Sequence, residues 1–271
     1  MPDVEYPEDR WVQINLSTAY PLPPALYGEI ADLAQELLAG PAGEFFFMHK
    51  PPGLRLRFQA RRPGDVPGLR AQLLSRAGAF GGVVATVYEP EAYLFGGPAS
   101  MPHVHRLFTA DALAWLDCHR QGATRQPLAS WRISLLLLRE LLDGLRIVGW
   151  EHRGVWDVVR TETGRSLEPD PDPGAGGRLR AEQGIREWWG RPRESAFAAL
   201  PEEWRPRIAA HGEAVRSAAD AWRTGYFEAG QAVRGPRRAA AYAAIFHWNR
   251  AALPAARQCL LTEALASDGV V

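Results

Sequence analysis

The sequence predicts an α+β fold, with a mixed or antiparallel sheet in the N-terminal half and a mostly helical C-terminal part. Four short segments rich in β-branched and aromatic residues all end by residue 89. From residue 178 onward, apolar residues recur instead at helical spacing. A chain that mixes strands and helices first and continues with helices is typical of α+β proteins, in which neighbouring strands pair antiparallel.

The predicted strands combine β-forming residues with alternating apolar and polar side chains. They cover residues 11–16, 44–50, 54–58 and 83–89. In the third strand, "LRLRF", the two leucines and the phenylalanine share one face, and Arg55 and Arg57 share the other. This strand therefore presents two guanidinium groups on one side of the sheet.

The predicted helices show apolar residues at helical spacing between turn-forming residues. In "PPALYGEIADLAQELLAG", Pro24 marks the start and Gly40 follows the end. The further predicted helices cover residues 111–119, 131–142, 178–189, 201–228 with interruptions, 236–250 and 255–266. The Pro-, Asp- and Gly-rich stretch 167–177 cannot build a core and predicts a flexible loop. The chain has no internal repeat, and we expect residues 1–271 to form a single domain.

Composition argues against several classes of partner. The 31 basic and 31 acidic residues of the 271-residue chain cancel, so no electrostatic reason remains to expect nucleic acid or an anionic membrane. No apolar run reaches the roughly 20 residues that span a bilayer, and the acidic, polar start is unlike a signal peptide. Cys118 and Cys259 have no CxxC spacing. We therefore expect a cytoplasmic protein.

Common catalytic motifs are missing from the sequence, which has no P-loop, no GxGxxG at a helix start, no HExxH and no GxSxG. His103 and His105 form an HxH pair, but no cysteine or second histidine cluster lies near them. Loop histidines or a hydrogen-bonded turn explain this pair better than a zinc site does. We therefore expect no metal site.

Three features allow either a structural or a functional interpretation. Arg55 and Arg57 are either solvated strand arginines or a guanidinium pair that binds a carboxylate or a peptide carbonyl. Glu91 is either a solvated loop carboxylate or a general base. In the late stretch "AAYAAIFHWNRAAL", Tyr242 and Asn249 share a helix face that either packs in the core or points into a pocket.

Four stretches of the chain occur in the order of a known set of motifs. They are "GLRLRF" (53–58), "YEPEAYLFGG" (88–97), "MPHVHRLFTADAL" (101–113) and "HWNR" (247–250). The corresponding patterns are His-Leu-Arg-Leu-Arg-Phe, Tyr-x-x-Glu-x-x-Arg-Tyr-Gly-Gly, Phe-x-x-Asp-Ser at a helix start, and His-Met-x-x-Asn-Arg. The ordered set runs from about residue 11 to residue 266 and resembles the C-terminal domain of lantibiotic dehydratases. That domain also occurs as stand-alone proteins in thiopeptide biosynthesis.

The branches of this family differ in their reaction. One eliminates glutamate from glutamylated Ser or Thr, and the other, the thiopeptide pyridine synthases, joins two dehydroalanines in a formal [4+2] cycloaddition. The chain departs from the eliminating pattern where Leu94 replaces an Arg that helps to bind the glutamyl carboxylate. Ile245 likewise replaces the first late His, and Gly53 replaces the His before Leu-Arg-Leu-Arg-Phe. Because leucine cannot bind a carboxylate and isoleucine cannot transfer a proton, the resemblance implies a pyridine synthase.

The resemblance also implies a reaction and a set of site residues. A macrocyclase of this kind acts on a precursor peptide of RiPP antibiotic biosynthesis that carries thiazoles and dehydroalanines, and it uses no cofactor because no net redox occurs. The implied catalytic residues are Tyr242, His247 and Glu91 for proton transfer and Arg55 for orienting carbonyls. The implied substrate-binding residues are Arg57, Phe95, Trp188, Trp189, Trp248 and Asn249, with the tryptophans as stacking platforms for thiazoles.

The expected partners are the leader-bearing precursor peptide, other biosynthetic enzymes of the pathway and a second copy of the chain. Leader binding is expected in a groove or at a sheet edge of the N-terminal half, by strand addition or helix docking. Two other functions stay open at this point. The chain is alternatively a glutamate-eliminating subunit of the same family, or a non-catalytic module that binds the leader peptide.

Overall fold

A computed structural model describes residues 7–18, 21–51, 53–122, 127–167 and 176–267. The predicted α+β class is confirmed, because a four-stranded antiparallel sheet is followed by a mostly helical part. The strands are β1 (Trp11–Ser17), β2 (Ala42–Lys50), β3 (Gly53–Ala60) and β4 (Gly82–Thr86). Their order in the sheet is β2-β3-β1-β4, and each neighbouring pair is antiparallel.

The helices begin within the sheet-forming part and continue to the end of the described chain. They are α1 (Pro24–Ala39), α2 (Val66–Ala77), α3 (Met101–Arg120), α4 (Pro127–Gly144), α5 (Glu151–Thr163), α6 (Gly177–Trp189), α7 (Arg193–Ala198), α8 (Arg205–Trp222), α9 (Pro236–Arg250) and α10 (Ala255–Ala266). A π-helix, Arg223–Phe227, continues α8. Proline stands in the first turn of α1, α2, α3, α8 and α9, where its fixed φ and missing N–H fit a helix start. Among the described residues, no helix is long and apolar enough to cross a membrane.

Strand β3 lies between β1 and β2 and gives the sheet one polar face. Its pairing with β1 sets Arg55 opposite Asn15 and Arg57 opposite Gln13. Side chains of directly paired residues lie on the same face, so these four polar groups are neighbours. The leucines and the phenylalanine of "LRLRF" are buried on the other face.

The structure confirms most predicted elements and moves two boundaries. The strands predicted at 11–16, 44–50 and 54–58 are present, but the fourth ends at Thr86, before the predicted residue 89. The helix start predicted at residue 111 is wrong, because α3 begins at Met101 after a short 3-10 turn. His103 and His105 are therefore helical residues and not loop residues.

Two further predictions are not tested by the described residues. Most of the flexible loop predicted at 167–177 lies outside the described residues. The prediction of a single domain over residues 1–271 stays a prediction. The later helices predicted at 178–189, 236–250 and 255–266 are confirmed as α6, α9 and α10.

Helix α9 is held in place by a buried ion pair with α3. Arg250, only 1% exposed, donates its Nε–H to Asp111 Oδ2 at 2.5 Å. His247 donates its Nδ1–H to Asp111 Oδ1 at 2.6 Å. Burial alone would raise the pKa of Asp111, but the charges and hydrogen bonds of His247 and Arg250 outweigh it and lower this pKa to about 2. The carboxylate is thus ionised at neutral pH and fixes the rotation of α9 about its axis.

Candidate functional site

A cavity of about 670 Å³ lies between the polar face of β2 and β3, the loop after β4, the end of α5 and one face of α9. That volume is in the range of small-molecule sites in proteins, which are clefts of about 300–1,000 Å³. Its lining residues come from distant parts of the chain and are Phe46, Met48, His49, Lys50, Arg55, Arg57, Tyr88, Glu89, Glu91, Tyr93, Leu94, Phe95, Met101, Phe108, Glu162, Thr163, Arg165, Tyr242, Ile245, Phe246 and Asn249.

The strand wall of the cavity carries cations. Arg57 is buried, donates its Nε–H to Gln13 Oε1 at 2.6 Å, and places its guanidinium about 5 Å from the ring centres of Phe46 and Tyr88. Burial lowers the pKa of Arg57 to about 10, so the group remains a cation at neutral pH. Arg55 is half-buried beside it and makes no hydrogen bond or ion pair with any described residue. Both guanidinium groups are therefore available to carbonyl or carboxylate oxygens in the cavity.

The loop wall is fixed by a glycine turn. Gly96 and Gly97 have φ values of 96° and 101°, which favour glycine. The Gly96 carbonyl accepts a hydrogen bond of 2.8 Å from the buried Tyr226 hydroxyl of the π-helix. A Cβ at Gly96 would lie 2.2 Å from that hydroxyl oxygen, so no larger residue fits there unless Tyr226 moves. The turn presents Leu94 and Phe95 to the cavity.

The acidic side chains of the loop wall are exposed at the cavity. Glu89 and Glu91 both line it, and neither forms a hydrogen bond or ion pair with the described residues. Glu91 lies near enough to Arg57 to raise the pKa of that guanidinium, although burial has the larger, opposite effect. The sequence analysis selected Glu91 and did not select Glu89.

Helix α9 forms the wall opposite the sheet. Tyr242, Ile245, Phe246 and Asn249 all line the cavity, as the helical spacing of this stretch indicates. Burial lowers the pKa of His49 to about 4, so this cavity residue is neutral at neutral pH and carries one N–H.

The end of α9 is joined to the sheet through His49. Its Nδ1 lies 2.8 Å from the backbone carbonyl of Asn249, and its Nε2 lies 2.7 Å from the Tyr27 hydroxyl. Since a carbonyl only accepts hydrogen bonds, Nδ1 carries the hydrogen and Nε2 accepts from Tyr27. The imidazole therefore adds a hydrogen bond to a carbonyl group in the last turn of α9, where the regular helical hydrogen bonds end.

The Tyr242 hydroxyl donates to Glu162 Oε2 at 2.8 Å, and Arg238 lies 2.8 Å from the same oxygen. Partial burial and the Glu162 carboxylate both raise the pKa of Tyr242, so its phenol keeps its proton at neutral pH. Sequence reasoning found Tyr242 but not Glu162, because α5 carries no recognisable motif. It also missed Arg165, which lines the cavity just beyond the end of α5.

The structure contradicts the placement expected for His247. The side chain is 3% exposed and lies on the face of α9 that is turned away from the cavity. Its partners are Asp111, Trp115 and Ser134. The Trp115 Nε1 lies 3.2 Å from Nδ1, and the Ser134 Oγ lies 2.9 Å from Nε2. A helix directs residues 242 and 247 to different faces, so Tyr242 and His247 cannot both reach one cavity. His247 stabilises the interior and is removed from the proton-transfer set.

None of the three tryptophans expected to stack on thiazoles lines the cavity. Trp188 and Trp248 are core residues, and Trp189 is half-buried against the core. Trp248 is fully buried and stacks on Trp156, with ring centres 6.0 Å apart. Trp188 packs edge-on against Trp131, and Trp189 packs edge-on against Trp156. The aromatic rings that do line the cavity belong to Phe46, Tyr88, Tyr93, Phe95, Phe108, Tyr242 and Phe246.

The three departures from the eliminating pattern differ in position. Leu94 and Ile245 both line the cavity, on the loop wall and on the helix wall. Gly53 does not line it; it lies at the start of β3. A Cβ at Gly53 would lie 2.0 Å from the carbonyl oxygen of Leu16 in β1, so no side chain fits there without a shift of the backbone.

The described residues contain no group of three or more His, Cys, Asp or Glu side chains arranged to hold a metal ion. His105 is buried in α3, and its Nε2 lies 2.9 Å from the Tyr88 hydroxyl. His103 lies on the same helix against Gly225, where a Cβ would meet its ring at 2.4 Å. The HxH pair therefore packs between structural elements.

Comparisons with known proteins agree with this architecture. The crystal structure of the tRNA-dependent lantibiotic dehydratase MibB from Microbispora sp. 107891 is 20% identical with a TM-score of 0.67, and the match covers 95% of this chain and 27% of that chain. This chain thus spans about a quarter of that enzyme. The crystal structure of TsrL is 16% identical with a TM-score of 0.51, and the match covers 94% of this chain and 93% of that chain.

At these identities the two structural matches show a shared fold. No curated protein matches the chain. The family model described as lantibiotic biosynthesis dehydratase C-term matches residues 11–267. Because that match spans most of the sequence, the chain belongs to the family of lantibiotic dehydratase C-terminal domains.

Proposed function

We propose that the protein is a thiopeptide pyridine synthase, a macrocyclase that joins two dehydroalanines of a thiazole-containing precursor peptide. The observation that carries this proposal is that Leu94 and Ile245 both line the cavity. In glutamate-eliminating relatives the corresponding positions hold a cation and an imidazole. The apolar side chains of Leu94 and Ile245 can neither bind a carboxylate nor carry a proton, so the two groups that elimination uses at these positions are absent.

The rest of the cavity supports a reaction that needs orientation and proton transfer. Arg55, Arg57, Glu91 and Tyr242 all remain around the space that Leu94 and Ile245 make apolar. A partly apolar cavity strengthens hydrogen bonds to a developing charge, because little water competes with them. Bringing two reacting groups together in one orientation lowers a barrier by roughly 7–11 kcal/mol.

The proposed reaction balances without an oxidant or reductant. One dehydroalanine and the amide before it tautomerise to a 2-azadiene, and a distant dehydroalanine of the same peptide supplies the two-carbon partner. Two carbon–carbon bonds form, which gives a hydroxylated tetrahydropyridine. Loss of water and then of the leader peptide as an amide, each with one ring proton, yields the aromatic pyridine and closes the macrocycle.

For each orienting contact and proton transfer of this reaction, a suitable side chain lines the cavity. Arg55 and Arg57 donate hydrogen bonds to the amide oxygen and so favour the enol-like tautomer. Glu91 accepts a proton, and Tyr242 exchanges a proton with the departing groups. The flat thiazoles stack on rings of the cavity wall, where Tyr93 at the exposed edge and Phe246 on α9 take the place that was expected for the tryptophans.

For leader binding we propose strand addition to β4. This strand pairs only with β1 among the described residues, and its far edge therefore carries unused backbone groups. Val84 is exposed on the strand, and Val87, which follows it, is 81% exposed. The chain continues from β4 directly into the loop that lines the cavity. A peptide added to β4 is thus led towards the reaction site.

The decisive experiment uses a leader-bearing peptide that contains thiazoles and two dehydroalanines. We expect mass spectrometry to show a macrocycle and a free leader amide whose masses, with one water, add up to the substrate. Tight binding without conversion would refute the enzyme and support a leader-binding module. Conversion of a glutamylated peptide into a dehydrated one would refute the synthase and support an eliminating enzyme.

Variants of the cavity sharpen this test. Tyr242→Phe is expected to lower kcat by about 100-fold or more, the usual range for a lost acid–base group, while leader affinity stays unchanged. Arg55→Gln is expected to lower kcat as well. Arg70→Gln, which removes the same charge from an exposed position of α2, is the matched control and is expected to leave kcat unaltered. Equal rates for the two arginine variants would remove Arg55 from the mechanism.

A further inference from the structure

We infer that Glu162, held by Arg238, is a positioning residue that aims the Tyr242 hydroxyl and relays its proton. The inference rests on the proposed synthase function and adds a residue that no sequence motif indicates. Glu162 lies in the last turn of α5 and lines the cavity together with Tyr242.

The geometry joins two helices at one carboxylate oxygen. Arg238 and Tyr242 are four residues apart on α9 and therefore lie on the same side of that helix. Both side chains contact Oε2 of Glu162. Arg238 forms an ion pair with it at 2.8 Å, and the Tyr242 hydroxyl donates a hydrogen bond to it at 2.8 Å. The carboxylate is thus held from one side by a cation while it accepts the phenol hydrogen.

The direction of this hydrogen bond determines whether the Tyr242 hydroxyl donates a hydrogen to the substrate or accepts one from it. Since the Tyr242 hydrogen points to Glu162 and Arg238 also hydrogen-bonds to the phenol, the phenol oxygen keeps one lone pair that can accept a hydrogen from the substrate. Azadiene formation requires loss of an amide N–H proton. That N–H bond breaks as an O–H bond forms on Tyr242, while the original phenol O–H bond breaks and a new one forms on Glu162. The amide is left as an imidate anion, whose oxygen accepts hydrogen bonds from Arg55 and Arg57.

The same relay works in reverse once the ring has closed and the former amide oxygen is an alkoxide. Glu162 returns its proton to Tyr242, and Tyr242 passes a proton to this oxygen, which gives the hydroxylated ring. No proton is consumed over the pair of steps, and no co-reactant is required. Arg238 keeps the carboxylate in place through both transfers, since its guanidinium lies 2.8 Å from Glu162 Oε2.

The chain offers a matched control for this cluster. Glu151 lies on α5 eleven positions before Glu162, and its Oε1 is 3.7 Å from Arg237 of α9. It therefore forms an ion pair between the same two helices, next to the cluster in sequence, but it does not line the cavity. Glu151→Gln removes the same charge without touching Tyr242.

The kinetic test compares Glu162→Gln with Glu151→Gln. Glutamine keeps an oxygen that can accept the phenol hydrogen bond but cannot take up the proton, so kcat is expected to fall by about 100-fold with KM within a few-fold of wild type. Glu162→Asp is expected to recover part of the loss, and Glu151→Gln is expected to keep the wild-type kcat. A Glu162→Gln enzyme with wild-type kcat would overturn the inference.

A second readout does not depend on activity. Fluorotyrosine is incorporated throughout the protein, the Tyr242 signal is assigned with Tyr242→Phe, and its ionisation is followed by fluorine NMR. Because the Glu162 carboxylate raises the pKa of Tyr242, Glu162→Gln is expected to lower that pKa, and Glu151→Gln is expected to leave it unchanged. An unchanged pKa in Glu162→Gln would refute the coupling. Wild-type protein without cyclase activity would refute the proposed function alone, and the titration then decides on the pair by itself.

Discussion

Replacing Asp111 with asparagine tests the buried ion pair that orients α9. The variant removes the charge that Arg250 and His247 share and leaves an amide in contact with two donors. The Arg250 guanidinium, 1% exposed, then lies in the interior without a counter-charge. Breaking a buried pair in this way costs about 3–5 kcal/mol of unfolding free energy.

The assay is urea unfolding at neutral pH, followed by tryptophan fluorescence and circular dichroism. With a urea dependence of about 3 kcal/mol per molar, typical of the upper range for a single domain, the midpoint is expected to fall by about 1–1.7 M. Asp157→Asn is the matched control, since Asp157 pairs with Arg160 at 2.6 Å but their side chains are 50% and 33% exposed. That exposed pair is expected to contribute less than about 1 kcal/mol. Equal midpoints for the two variants would show that the Asp111 pair does not hold α9.

Three further predictions follow from the cavity and its surroundings. Lys50 is the one lysine of the sequence and lines the cavity. Bound precursor peptide is therefore expected to slow the acetylation of Lys50 and to leave the acetylation rate of the α-amino group unchanged. An unchanged acetylation rate of Lys50 would show that the peptide binds elsewhere. Burial lowers the pKa of His49 to about 4 and of His105 and His119 to about 3, so the unfolded chain binds protons first on acidification. The unfolding free energy, measured in urea, is therefore expected to be constant between about pH 7 and 8. It is expected to fall by up to about 4 kcal/mol per pH unit between about pH 6 and 4, and a flat profile over that range would contradict this. Leu94→Arg alone is expected to gain no glutamate elimination, since no imidazole stands at position 245, and any dehydrated product from a glutamylated peptide would refute that reasoning.

The local patterns of the sequence were sufficient for most of the secondary structure. The period of two in "LRLRF" predicted correctly that Arg55 and Arg57 share a face, because strand geometry allows no other arrangement. The start of α3 was missed because Asp111 resembles a helix cap in sequence. In the folded chain its carboxylate accepts a hydrogen bond from Arg250, more than a hundred residues away. Such a long-range contact cannot be recognised from the neighbouring sequence.

The difference between local spacing and long-range packing also explains which residues of the candidate site could be predicted from the sequence. Spacing along α9 predicted that Tyr242 and Asn249 share a face, and both line the cavity. Spacing alone could not tell which face of α9 is turned to the cavity, and His247 was assigned to the wrong side. Glu162 was missed for a related reason, since its proximity to Tyr242 depends on how α5 packs against α9.

The hydroxyl of Tyr226 holds the backbone of the Gly96 turn from a distant π-helix, independently of the side chain at position 94. Substitution of residue 94 therefore changes the side chain that the loop presents to a bound molecule, without displacing the main chain. Distinct chemistries can thus diversify on one scaffold by exchanging a few side chains that line the cavity while the main chain stays in place. Engineering of this protein should accordingly begin with positions 94 and 245 and leave the anchoring phenol untouched.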